Sequence, residues 1–242
     1  MKTRVAVTAA VSAVLWAAVV AAPGAAGADQ PATYRVTLTN LTGGQPFSPP
    51  AVATHRPGLR VFEVGALASD EIAAIAQDGN EAPLVSTLSA DPRVTQVVDV
   101  GRPLTPHGVE KLGFTDSVTV EITARPGDRL SLATMLICTN DGFLGLAGAA
   151  LPASGIVSYA LNGYDAGRED NTERSADLVD PCSALGPVPL PGDPNGNEDA
   201  AVATSPREPI HHHPGITGTG DLSVADHGWT DPVATVTVTR TG

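Results

Sequence analysis

The strongest constraint in this sequence is an alternation of period two that is repeatedly cut by turn-forming residues. Tyr34, Val36 and Leu38 point one way and Arg35, Thr37 and Thr39 the other, which describes a strand buried on one side. The pattern returns in Val118, Val120 and Ile122 against Thr119, Glu121 and Thr123, and again in Val236 and Val238 against Thr235, Thr237 and Thr239. Leu84–Leu88, Val94–Val100, Leu130–Ile137 and Ile156–Leu161 bring the set to about eight short strands. Glycine (25) and proline (21) punctuate them at roughly one and a half times their average share. Helical bundles do not have this composition. The expectation is an all-β antiparallel sandwich or barrel with one short inserted helix. That helix is predicted at Ser69–Gly79, where Ser69 caps, Asp70 and Glu71 place acids in the first turn, and Gly79 terminates. Well-patterned first and last strands predict a single domain over residues 29–242 with both ends inside the sheets.

Residues 1–28 read differently. Lys2 and Arg4 precede an apolar run from Val5 to Val20, and Ala26-Gly27-Ala28 makes a small-x-small site, so this segment is expected to be a secretory signal peptide cleaved near Ala28. Without Lys2 and Arg4 the formal charge moves from −12 to −14, with 12 Lys and Arg facing 26 Asp and Glu. A nucleic-acid partner needs a basic footprint and is excluded on this ground. No later apolar run reaches the length of a membrane span. Outside the cytosol an isolated cysteine pair is most simply one disulfide, so Cys138 and Cys182 are expected to be joined. A reactive thiol is the other reading, but neither cysteine sits in a CxxC motif or close to a histidine. Pro181–Pro214, rich in proline and glycine, reads as a long surface loop.

The densest polar cluster comprises Thr139-Asn140-Asp141-Gly142-Phe143-Leu144-Gly145 and Tyr164-Asp165-Ala166-Gly167-Arg168-Glu169-Asp170. Carboxylates delivered from strand ends, completed by backbone carbonyls and water, suit a hard cation such as Ca2+. The bland reading is that these acids are solvated turn residues, and spacing alone favours it because no EF-hand pattern appears.

The same segments, beginning at Leu136-Ile137-Cys138, resemble the spondin domain, the N-terminal module of F-spondin and mindin. In that family an Asp and a nearby aromatic are followed some twenty-odd residues later by an Asp-Ala-Gly-x-Asp turn. Tyr34–Asn40 and Pro232–Val238 look like its opening and closing strands, so the resemblance spans the chain beyond the leader and is closest to bacterial stand-alone members. It implies a C2-like β-sandwich with one bound calcium, carried over onto Asp141, Asp165 and Glu169. The chain departs at Glu169, where the family commonly has Asp, and at Gly142, which displaces the aromatic to Phe143. Asp170 and Glu173 are substitute ligands under this reading. The family's animal members attach proteins to extracellular matrix, cell surfaces or microbial ligands, which implies a non-enzymatic adhesion or recognition module, monomeric, with an extracellular protein, glycan or surface ligand as partner.

His211-His212-His213 is the other candidate, a weak transition-metal site. Adjacent residues of an extended segment point in opposite directions, so a solvated loop is the favoured reading. His227 and Trp229 are expected to pack together. Enzymatic motifs are missing: there is no GxSxG, HExxH or P-loop. The enzymatic alternative is a metal-assisted extracellular hydrolase built on the same acidic cluster, although 9 aromatic residues are few for a carbohydrate-stacking cleft. A lipid binder suggested by C2-like topology alone is fold-level analogy.

Overall fold

The computed structural model describes residues 30–190 and 206–242, so the expected leader and part of the Pro/Gly-rich loop lie outside the described residues. Two antiparallel sheets face each other. The first holds β4 (Ser117–Ala124), β1 (Ala32–Asn40), β10 (Ala234–Arg240) and β7 (Ile156–Leu161), in that order. The second holds β3 (Val94–Asp99), β2 (Ala51–His55), β5 (Arg129–Met135), β6 (Gly142–Ala150), β8 (Gly163–Asp165) and β9 (His211–His212). The protein is an all-β sandwich, as the alternation predicts.

The first sheet shows why alternation was visible in it. Val36 and Leu38 on β1, Ile122 on β4, and Val236 and Val238 on β10 are buried against the other sheet, while their neighbours face outward. β1 and β10 pair over seven residues, from Tyr34↔Arg240 to Asn40↔Ala234, and occupy the middle of the sheet. The strands predicted at Tyr34–Thr39 and Thr235–Thr239 both lie within this sheet.

The second sheet is covered on both faces. Val52, Leu130, Leu132 and Leu144 meet the first sheet. Ala51, Ala53, Ala133, Met135 and Phe143 meet a helical layer on the other side. That layer consists of α1 (Asp70–Asp78), α2 (Ala82–Ala90) and α3 (Pro181–Leu185), which contribute Ile72 and Ile75, Leu84 and Leu88, and Leu185. Each such aliphatic side chain removed from water contributes about 1.5–3 kcal/mol.

Helix α1 forms as expected: the Ser69 hydroxyl accepts from the Ile72 N–H at 3.3 Å, and Gly79 ends the helix in the left-handed region. The expectation of a strand at Leu84–Leu88 is corrected, because this stretch is α2. Pro83 in its first turn is compatible with a helix start, and Leu84 and Leu88, four apart, share the face turned to the sheet. Among the described residues the single expected helix thus becomes four short ones, with α4 at Val224–His227, plus a 3-10 turn at Ser175–Asp177. The expected loop at 181–214 is also structured where it is described. It begins with α3, and near its end Ile210 is buried and His211–His212 form β9. Among the described residues no helix is long and apolar enough to cross a membrane.

Candidate acidic site at one pole of the sandwich

The β5–β6 connection is short and tightly tied. The Thr139 hydroxyl donates to the Leu136 carbonyl at 2.6 Å and accepts from the Gly142 N–H at 2.8 Å, closing the turn on itself. A Cβ on Gly142 would lie 2.4 Å from Thr139 Oγ1, so only glycine fits there. Cys138 is bonded to Cys182 of α3, as expected, with Cα atoms 4.9 Å apart. The disulfide anchors the turn to the helical layer, and Gln45 holds it from the other side through the Cys138 N–H and carbonyl.

Asp141 follows this turn and is wholly buried. β6 pairs with β8 so that Gly142 faces Asp165, and the Ala166 N–H donates to the Asp141 carbonyl at 3.1 Å. The chain then turns at Gly167 (φ 65°), against the Glu208 carbonyl. That turn aims the N–H groups of Arg168 (2.6 Å) and Glu169 (3.1 Å) at Asp141 Oδ2. The other oxygen, Oδ1, is buried and has no partner. Burial, and then the charge of Asp165, push the Asp141 carboxyl up to about 7, against the two N–H donors that favour ionisation.

Asp165 is equally enclosed. Its Oδ1 accepts from the Gly167 N–H at 2.7 Å and its Oδ2 from Asn171 Nδ2 at 2.7 Å. His211 Nε2 stands 3.8 Å from Oδ2. Glu169 is also buried, and its Oε1 accepts from Gln77 Nε2 of α1 at 2.7 Å. Burial is again the main cause that raises its carboxyl to about 7, with the charges of Asp141, Asp78 and Asp177 adding to it. Arg168 sits between these acids in sequence, yet its guanidinium turns away to Asp70 (Nη2–Oδ1, 2.5 Å).

The expected trio is therefore brought to one pole, but unevenly. Asp141 and Asp165 are neighbours, whereas the Glu169 carboxylate is engaged by Gln77. Among the described residues no group of three or more His, Cys, Asp or Glu side chains is arranged to hold a metal ion. The donor chemistry fits a hard cation to the extent of two buried aspartates, one with a bare oxygen. Of the substitute ligands, Asp170 is exposed. Glu173 is occupied: its carboxylate accepts from the N–H groups of Thr217, Gly218 and Thr219 and from the Thr217 hydroxyl.

The three histidines separate, as an extended segment requires. His211 faces Asp165, His212 Nε2 meets Asp231 Oδ2 at 2.7 Å, and His213 is buried with its ring 5.0 Å from that of Trp229. The expected His227–Trp229 pair is thus replaced by His213–Trp229, while His227 Nδ1 accepts from the Ser223 N–H. Burial pushes the His213 ring down to about 4. Sequence reading did not find Gln77, 92 residues from Glu169, or Asn171, because neither belongs to a recognisable motif.

No family model matches the chain, and no curated protein is similar to it.

Proposed function

We propose that this chain is an exported, calcium-stabilised recognition module of the spondin type, with a C2-like sandwich, that works by binding and not by catalysis. The carrying observation is the buried pair Asp141 and Asp165, which no arginine or lysine among the described residues neutralises and in which Asp141 Oδ1 lacks a partner. Asp141 and Asp165 would hold the ion, with Glu169 contributing if its contact to Gln77 opens. A bound Ca2+ supplies positive charge at the pole and keeps its turns in one arrangement. The chain's own part is mechanical. Thr139 and Gly142 orient Asp141, the Gly167 turn presents Arg168 and Glu169 to it, and the disulfide ties the pole to α3.

The leader-like Met1–Ala28 segment and the disulfide support export to an oxidising compartment. A binding role is favoured over the metal-assisted hydrolase because Asp141, Asp165 and Glu169 are each buried, whereas a hydrolytic metal needs an open position that substrate can reach. The adhesive ligand is an extracellular protein, glycan or surface component.

Thermal melts of the purified protein in calcium, zinc and excess chelator test this reading. The expected result is a higher midpoint in calcium than in chelator, with the increment abolished in Asp165→Ala. Identical midpoints in calcium and chelator would refute it, and a rise confined to zinc would move the metal to the histidines.

A further inference from the structure

At the opposite pole the two sheets splay over a cleft of about 420 Å3. It lies where β1 begins, β4 ends, β5 begins and β10 ends, and its lining includes Tyr34, Arg125, Arg129, Leu151, Pro152 and Arg240. Strand register gathers the arginines: Arg240 is paired with Tyr34 across β10 and β1, and Arg129 with Ala150 across β5 and β6. None of the three guanidinium groups has a carboxylate side chain within ion-pair distance among the described residues. By contrast Arg35, Arg56, Arg60, Arg93, Arg168 and Arg207 each do.

Arg240 is held in place, with Nη1 donating to the Ala153 carbonyl at 2.6 Å and Nε to the terminal oxygen of Gly242 at 3.2 Å, part of the chain's own α-carboxylate, which leaves Nη2 for a ligand. The cleft's one lining acid, Asp128, is turned inward. Its side chain is fully buried, Oδ2 accepts from Thr95 Oγ1 and the Arg125 N–H, and Oδ1 faces Arg56 Nη1 at 3.4 Å. The floor is apolar, formed by Ala32, Ala124 and the largely buried Tyr34 ring. A single unpaired surface arginine is ordinary. Three around one concavity, half of the six described Lys and Arg that lack a side-chain ion pair, put positive charge where an apolar body can also sit, in a chain of net charge −12.

We propose that this cleft binds a small organic carboxylate. Its apolar part rests on Tyr34, Leu151 and Pro152, and its anion is met by Arg125, Arg129 and Arg240 Nη2. Planar guanidinium forks match a carboxylate in a bidentate manner, and a cleft that excludes part of the surrounding water strengthens the contact. The proposal is independent of calcium at the other pole.

The test uses the purified protein in excess chelator, followed by NMR. The probes are 2-naphthoate, its neutral amide 2-naphthamide, and inorganic sulfate. Naphthoate is expected to shift the Ala124, Ala150 and Tyr34 signals saturably, and at least about tenfold more tightly than naphthamide or sulfate. The double variant Arg125→Gln/Arg129→Gln is expected to weaken naphthoate by about tenfold or more and to leave naphthamide unchanged. Equal affinity for naphthoate and naphthamide overturns the proposal, as does sulfate binding as tightly as naphthoate. Undiminished naphthoate binding by the double variant, or no saturable shift at this pole in the unaltered protein, overturns it as well.

Discussion

Replacing Asp141 by asparagine isolates the electrostatic cost of the acidic pole. In the metal-free fold this carboxyl titrates at about 7 against an ordinary 3.8, because burial and the Asp165 charge oppose its ionisation. That is about three tenfold steps in proton affinity, each worth about 1.36 kcal/mol, so ionising it inside the fold costs up to about 4 kcal/mol. The sign follows from linkage. A carboxyl raised on folding gives stability that is fully present below about pH 4 and is lost as pH climbs through about 7. Asparagine keeps an oxygen for the Arg168 and Glu169 N–H groups and puts a neutral amide nitrogen where Oδ1 was bare. That nitrogen brings a donor penalty of about 1–3 kcal/mol. The expected net result in excess chelator is Asp141→Asn more stable than the parent by about 1–3 kcal/mol at pH 8, with the advantage gone at pH 4.5. Urea unfolding across this range measures it. Stability curves that run parallel from pH 4.5 to 8, or a parent that gains on the variant as pH rises, would refute the reasoning. In millimolar calcium the proposed ion offsets the parent's cost and the order of the two proteins reverses.

Two further substitutions test how the pole is held. Cys182→Ser removes the link to α3 that closes a separation of 44 residues, and is expected to lower stability by about 2–4 kcal/mol in chemical denaturation. Gly167→Ala places a Cβ 2.1 Å from the Glu208 carbonyl at a positive φ. It should cost at least about 2 kcal/mol and speed amide exchange at Arg168 and Glu169, whereas a surface position such as Gly43, open around its Cβ site, should accept alanine within about 1 kcal/mol.

The legible and illegible halves of the fold divide along the two sheets. β1, β4 and β10 have one wet face, so their side chains alternate and the period-two pattern located them. β2, β5 and the first half of β6 are buried on both faces, and residues such as Ala51–Ala53 and Gly142–Gly145 carry no alternation to read. β5 reads only as an apolar run, and β2 and β6 give no strand signal. Leu84-Val85 and Leu88 read as a strand over five residues, and only packing against β2 and β3 settles so short a window as α2. At the site, Asp141, Asp165 and Glu169 are singled out only by the family resemblance, since their spacing alone reads as solvated turn residues. The hydrogen bond from Gln77 is not legible at all, since it spans 92 residues and depends on where α1 lands.

The seven-residue zipper between β1 and β10 has a kinetic consequence. These strands stand at the centre of their sheet, with β4 flanking one and β7 the other. Until Ala234–Arg240 has been synthesised, β4–β1 and β7 have no hydrogen-bonded strand in common, and the sheet that covers Val52, Leu130, Leu132 and Leu144 is in two pieces. Contacts closed across some 200 residues fold slowly, because the loop entropy is paid before the hydrophobic return arrives. A growing chain therefore stays open almost to its last strand, which is the state in which it can be threaded, held by a chaperone, or lost to aggregation.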